Sequence, residues 1–337
     1  MTGAVYDRGY RPYEGERGGR TAARTALWRA TIRRALGLRR PWRQKVAPFV
    51  LLAIVTVPAV VNVGVKYLTR NTPARDLDFI TYRDYVGVSN ALLVFVALTA
   101  PDIVCPDRRQ RVLPLIFARP LRGVDYVAAK VGAMFAILFA FSFLPQVVLF
   151  VGQMLVSTDG ALTYLRDNAE VLWQVPAAVS LLALFYAVIG VAIASLTTRR
   201  IIAGASIVGL FLITSITSAV LVGPDEEVHR GGGFGPPVTT EDGQVVTPEG
   251  PLELGEGAQP QETDTYFVVR TEPTAAPLLN VPALPLILRD VVFLGEVDPD
   301  GPMSGLDNGG LYAAGVYALW VGAGLLLLLR RYHEVER

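Results

Sequence analysis

Cysteine occurs once in the 337 residues, at Cys105, and histidine twice, at His229 and His333. One cysteine excludes an intramolecular disulfide, and this scatter leaves no Cys/His spacing for a metal site. The sequence holds no G-x-x-x-x-G-K-[ST] to cradle phosphates, no H-E-x-x-H and no G-x-S-x-G. Charge is scarce: 18% of residues are Asp, Glu, Lys or Arg, against about 25% in soluble proteins. Few acidic residues fall within the apolar runs, and Asp102 lies near the inner end of one. Membrane enzymes and ion-driven transporters need ionisable groups converging in the bilayer. Their scarcity predicts a chain that is not itself catalytic, binds no cofactor, and does only work powered from outside. The net charge is +1, and basic residues do not alternate with aromatics along a face, so a nucleic-acid role has no footing. Arginine outnumbers lysine 28 to 3, which reads as coding bias before phosphate recognition.

What is present in quantity is apolar: 52% of residues are hydrophobic and mean hydropathy is positive. Six runs, 46–68, 88–105, 126–156, 172–197, 201–222 and 311–329, are long enough to cross about 30 Å of hydrocarbon. The third is longer than a crossing requires; Pro145 would kink it, or its ends project. Only Thr197, Thr198, Arg199 and Arg200 separate the fourth from the fifth, which predicts an antiparallel helical hairpin closed by a tight basic turn. With the N-terminus inside, and Lys130 and Lys66 counted with the segments they adjoin, inner segments hold 23 basic residues and outer segments 8, so the positive-inside rule places both termini in the cytoplasm. The predicted fold is an all-α polytopic membrane protein in the cell membrane. It has six transmembrane helices, an N-terminal interfacial amphipathic helix, and a long outer loop between helices 5 and 6.

Residues 1–45 read as a cytoplasmic tail with twelve basic and three acidic residues, too long and mixed for the start of a signal peptide. Within it Leu27, Trp28, Thr31, Ile32, Ala35 and Leu36 form a helical stripe opposite Arg29 and Arg33. Such a helix suits the membrane interface; a solvated basic tail is the alternative. Residues 46–222 hold the first five spans, with a basic loop at 106–123. The loop 223–310 carries 16 acidic and three basic residues. Its stretch 224–273 has too few apolar residues to offset ordering entropy and is predicted to be disordered. Its stretch 275–297 is apolar but broken by Pro277, Pro282 and Pro285, which predicts a re-entrant or outer-face helix, or a packed loop with no role of its own. The last span and a short tail fill 311–337.

Mild polar residues lie in or near the spans: Asn62, Gln146, Gln153, Ser206, Thr214, Ser215, Thr217 and Ser218. Such groups usually hydrogen-bond between helices; a substrate-lining role is the alternative, best supported by the four hydroxyls at 214–218. Gly190, Ala194, Gly204 and Gly209 fit close helix packing. The loop DRRQRVLPLIFARPLRGVDYVAAK, residues 107–130, has a basic shell and an apolar centre. Arg108, Arg109 and Arg111 would hold it at the headgroups. Leu113, Leu115, Ile116 and Phe117 would offer an apolar knob to a cytoplasmic partner, stiffened by Pro114 and Pro120. A loop resting on lipid would look the same.

At these residues the chain resembles the ABC-2 type permeases, the membrane subunits of bacterial ABC exporters. The arginine-rich start, apolar core, A-R-P turn and D-Y-x-x-x-K lead-in to the third span match at Arg108, Arg109, Leu113, Leu115, Ala118, Arg119, Pro120, Asp125, Tyr126 and Lys130; Arg111-Val112 stand where that family has Gly-Thr. The six-span plan, the SLTTRR turn and the start YDRGYRPYEGERGGR are also similar to permeases of this group, actinobacterial ones in particular. The resemblance implies a second permease copy, as homodimer or paralogous heterodimer, and a separate ATP-binding subunit that carries ATP and Mg. It implies that 106–123 is the coupling element, using Arg108, Arg109, Arg111, Leu113, Leu115, Ile116, Phe117 and Arg119. It also places Asn90, Thr99, Thr214, Ser215, Thr217 and Ser218 near a substrate path along the second and fifth spans. A non-transporting scaffold or sensor that docks a cytoplasmic regulatory protein is the rival reading.

Overall fold

The computed structural model describes residues 19–37, 42–70, 72, 80–86, 89–118, 121–158, 160–222, 226–228, 267–269, 274–299, 301, 303 and 306–336. Six of its helices are long and apolar enough to cross a membrane. In lipid only a helix satisfies every backbone N–H and C=O within one segment, so apolar runs of this length fold as helices. They are α2 (Trp42–Thr69), α4 (Ser89–Arg109, preceded by the single turn α3, Tyr82–Val86), α6 (Gly123–Val156), α8 (Val171–Leu196), α9 (Arg200–Val222) and α11 (Gly309–Glu336). Four shorter elements accompany them: α1 (Arg20–Ala35), α5 (Leu113–Phe117), α7 (Ala161–Asp167) and α10 (Leu284–Leu294).

The 34 residues of α6 rise about 51 Å at 1.5 Å each, more than the roughly 30 Å a crossing requires. The helix runs on through Pro145. It starts on a capping box, where the Asp125 carboxylate accepts the Arg122 backbone N–H at 3.0 Å.

Helix α8 is the centre of the bundle and packs against α4, α6, α9, α10 and α11. Its apolar window is 72% buried, against 17% for both α2 and α9, so α8 is the protein core and those two present apolar flanks outward. Small residues let the helices close on one another. A side chain at Gly190 would begin 2.6 Å from Val96, and one at Gly204 would begin 2.9 Å from the Ala97 carbonyl oxygen. Ala194 is fully buried. Gly209, expected to share this role, faces open space: five residues beyond Gly204 it lies about 140° round the helix, on another face.

Arg20–Ala35 is helical and packs on α6 and α4 of the same chain. Thr31 and Ala35 are buried; Leu27, Ile32 and Leu36 rest on the core. Ion pairs of α1 and of Arg200, with ring contacts of Phe117 and Tyr332 on Tyr126, place α1, α5, the 197–199 turn and the C-terminal part of α11 at one end of the bundle, described below. At the other end a 3-10 turn (Ala276–Leu279) leads to α10, which stops at Gly295 in the left-handed conformation (φ 80). Within 224–273 the described residues are an antiparallel pair, Glu226–Val228 with Phe267–Val269; the expectation of disorder otherwise lies outside the described residues.

The segment 276–297 is built into the bundle. Val281 and Leu284 are buried, Ser215 Oγ donates to Asn280 Oδ1 at 2.9 Å, Ser218 Oγ to the Ala276 carbonyl at 3.1 Å, and Tyr186 OH to the Pro282 carbonyl at 3.3 Å. Deleting 276–297 should therefore prevent a monodisperse protein from forming, whereas deleting 229–266 should leave the elution profile in detergent and the melting temperature near those of the intact chain. Equal tolerance of both deletions would reduce the second segment to a spacer.

Candidate functional site

The last turn of α4 ends in Arg108 and Arg109. The chain then reverses through Arg111, whose φ of 51 lies in the left-handed region; a non-glycine residue there is strained. The Val112 N–H closes the turn on the Asp107 carbonyl at 3.1 Å. Pro114, with no N–H to satisfy, sits at the start of the single-turn helix α5.

On this turn the four apolar residues divide. Leu113 points inward and is 8% exposed, whereas Leu115 is 71% exposed. Ile116 and Phe117 rest on the core, with the Phe117 ring 6.0 Å from that of Tyr126. Three residues thus form a foot planted on α6 and α11, and Leu115 stands out from it. Arg108 does not fan outward: its guanidinium donates to the Ser195 carbonyl in the last turn of α8. Arg109 and Arg111 are exposed. Arg119 lies outside the described residues.

Behind the foot lies an ionic cluster. Asp107 is 1% and Lys130 2% exposed. Lys130 Nζ stands 2.6 Å from Asp107 Oδ2 and donates to the Ile103 carbonyl at 2.9 Å. The other oxygen of Asp107 takes Arg34 of α1, and Tyr126 OH donates to Oδ2 at 3.0 Å. A second buried carboxylate, Asp125, receives Arg20 of α1 through both oxygens at 2.7 and 3.0 Å, with Arg24 at 3.5 Å. Asp102 pairs with Arg200 at 2.7 Å, across to the start of α9. Cys105 is buried against the carbonyls of Ala194 and Thr197, as a packing residue would be. The first helix, the loop after α4 and the tight turn are thereby joined at one end of the bundle.

The clearest signal for this cluster in the sequence was Lys130. A lysine inside an apolar run is costly enough to require a partner, and Tyr126 stands one turn before it on the same face.

Of the six candidate path residues, the five whose side chains are described bond carbonyls or the 3-10 segment. Thr99 is buried and donates to the Phe95 carbonyl at 2.6 Å. Thr214 and Thr217 bond carbonyls of their own helix, at Leu210 (2.9 Å) and Ile213 (2.8 Å). Ser215 and Ser218 hold the 3-10 segment. The side chain of Asn90 lies outside the described residues.

At the α10 end, Arg83 reaches Asp84 at 3.5 Å, Asp298 at 3.6 Å and Asp290 at 3.9 Å, and Arg289 meets Asp290 at 2.6 Å. Burial pushes the Asp290 carboxyl above its ordinary range, against the pull of Arg289 and Arg83. Among the described residues no group of three or more His, Cys, Asp or Glu is placed to hold a metal ion. No family model, no curated protein and no solved structure matches this chain.

Proposed function

We propose that this chain is the permease subunit of an ATP-driven ABC exporter, paired with a second permease copy and docked on a separate ATP-binding subunit. The observation that carries this reading is α5: an exposed Leu115 on a short turn whose foot rests on the core and whose flanking Arg108 is tied to the last turn of α8. A coupling element must present an apolar contact to a soluble partner and must move the bundle when pushed. A floppy loop meets the first need and fails the second. Closure of the ATP-binding subunits would press on Leu115, and the clasp of Asp107, Lys130 and Arg34 would carry that displacement to α1, α4 and α6 together. ATP then shifts the bundle between two states by its differential affinity for them.

Purifying the chain from its native membrane with its companions and assaying ATP hydrolysis tests the reading. A companion with a phosphate-cradling loop and vanadate-sensitive turnover supports it. A companion without nucleotide turnover would favour the scaffold.

The same reading fixes sidedness. In intact cells a cysteine placed at Gly243 should react with an impermeant thiol reagent and one at Gly18 should not; Cys105 is buried and gives little background. Labelling at position 18 from outside would invert the topology and move α5 away from any cytoplasmic partner.

A further inference from the structure

Between α1 and the first turns of α6 lies an open groove of about 250 Å³, lined by Thr21, Arg24, Thr25, Trp28, Ala128 and Ala129. Its two ends differ. At one end stands Arg24, whose side chain is 50% exposed and whose Nε lies 3.5 Å from Asp125, beyond a good hydrogen bond. Asp125 is already engaged: Arg20 holds both its oxygens at 2.7 and 3.0 Å, and the Arg122 N–H shares one at 3.0 Å. The Arg24 guanidinium therefore borders the groove with donors to spare. At the other end Trp28 stands beside Gly132, where a Cβ would begin 3.8 Å from the ring atoms Cδ1 and Nε1. Seven residues separate Asp125 from Gly132, about 10 Å along α6, and α6 is a span that starts at Gly123. The groove thus leads from a cation at the rim of the span to an indole on the side of the hydrocarbon. Between them the floor is Ala128, which is exposed, and Ala129.

We propose that this groove seats one anionic glycerophospholipid, of the phosphatidylglycerol kind, with its phosphate on Arg24 and the start of an acyl chain over Ala128 beside Trp28. A guanidinium offers a planar fork of donors that matches two phosphate oxygens, and tryptophan favours the headgroup level of a bilayer. A zwitterionic lipid would bring an ammonium with no partner, because α1 contains no acidic residue and Asp125 is 3% exposed and occupied. Arg24 is the one charged residue of the lining. A soluble phosphate would use that end alone, whereas a lipid uses the indole and the alanine floor as well. The site does not depend on the exporter reading and would exist equally in a scaffold.

The test is native mass spectrometry of the full chain in an uncharged detergent, titrated with dioleoylphosphatidylglycerol or with dioleoylphosphatidylcholine. The wild-type chain should bind its first phosphatidylglycerol about tenfold more tightly than phosphatidylcholine, the worth of one charge-assisted contact. Arg24→Gln should remove that preference while the fold stands, since Asp125 keeps Arg20. Ala128→Trp fills the floor without changing charge and should weaken the first phosphatidylglycerol about as much. Arg29→Gln makes the same charge change about 140° round α1 and should bind as the wild type does. Equal losses in Arg24→Gln and Arg29→Gln would reduce the effect to the general pull of a basic helix on acidic lipid and overturn the site. So would a wild-type chain without preference, or displacement of the lipid by inorganic phosphate, which would make the occupant a soluble anion.

Discussion

Under the proposed function, Leu115→Asp should abolish copurification of an ATP-binding subunit while the chain still inserts and elutes as a monodisperse species. The residue is 71% exposed and stands on the outer side of α5. A carboxylate there costs the isolated chain almost nothing. On docking it would be buried without a partner, which costs several kcal/mol. An interface of about 8 to 12 kcal/mol in total does not survive that loss. Two controls separate docking from folding. Arg109→Ala removes an exposed charge worth about 1 kcal/mol or less and should leave most of the partner bound. Leu113→Asp places the charge two residues earlier, where the side chain is buried, and should reduce the yield of folded protein itself. Detergent pull-down and ATPase rates for the three variants read this directly. Retained partner and coupled hydrolysis in Leu115→Asp would sink the docking role.

The second large effect concerns stability. Lys130→Met should lower the thermal stability of the detergent-solubilised chain by about 3 to 5 kcal/mol, the usual cost of removing one partner from a buried pair. Asp107 would keep Tyr126 and Arg34. Arg34 is 40% exposed, so its attraction is screened by solvent and replaces little of what Lys130 supplied at 2.6 Å. The double variant Lys130→Met with Asp107→Asn should recover much of the loss, because it leaves no charge stranded. Arg34→Met alone should cost about 1 kcal/mol or less. A thermal unfolding series of the four proteins tests this. A Lys130→Met protein as stable as the parent would mean that Asp107 and Lys130 do not form the clasp.

The spans were legible because each is an apolar run of about the length the bilayer requires or more, and length alone forces a helix there. The hairpin of α8 and α9 followed from four polar residues between two such runs. The foot of α5 was not legible: Leu113 and Leu115 are equally apolar, and two residues apart on a helix they face nearly opposite sides. Only the position of α11 and α6 decides which of them is covered. The clasp was hidden for a different reason. Arg34, Asp107 and Lys130 meet from three helices, and periodicity within one segment carries no information about pairing between segments. Asp107 and Asp125 read as loop charges because they flank a visibly basic stretch; in the fold they are among the most buried polar groups. The hydroxyls at 214–218 show the converse. Their spacing suggested a lining, and the structure engages Ser215 and Ser218 with a segment some 60 residues further on, whose short proline-broken pieces gave no sign of where they would land.

The central claim is that α5 is the surface through which a separate ATPase drives this bundle. The most direct measurement places a photo-crosslinking phenylalanine analogue at position 115, irradiates native membranes, and identifies the adduct by mass spectrometry. The account predicts one dominant protein adduct, a cytoplasmic subunit whose sequence contains G-x-x-x-x-G-K-[ST], and loss of that adduct when ATP hydrolysis is trapped in a state that releases the partner or when the partner is deleted. An adduct formed only with lipid, or with a protein that carries no nucleotide-binding loop, would contradict it.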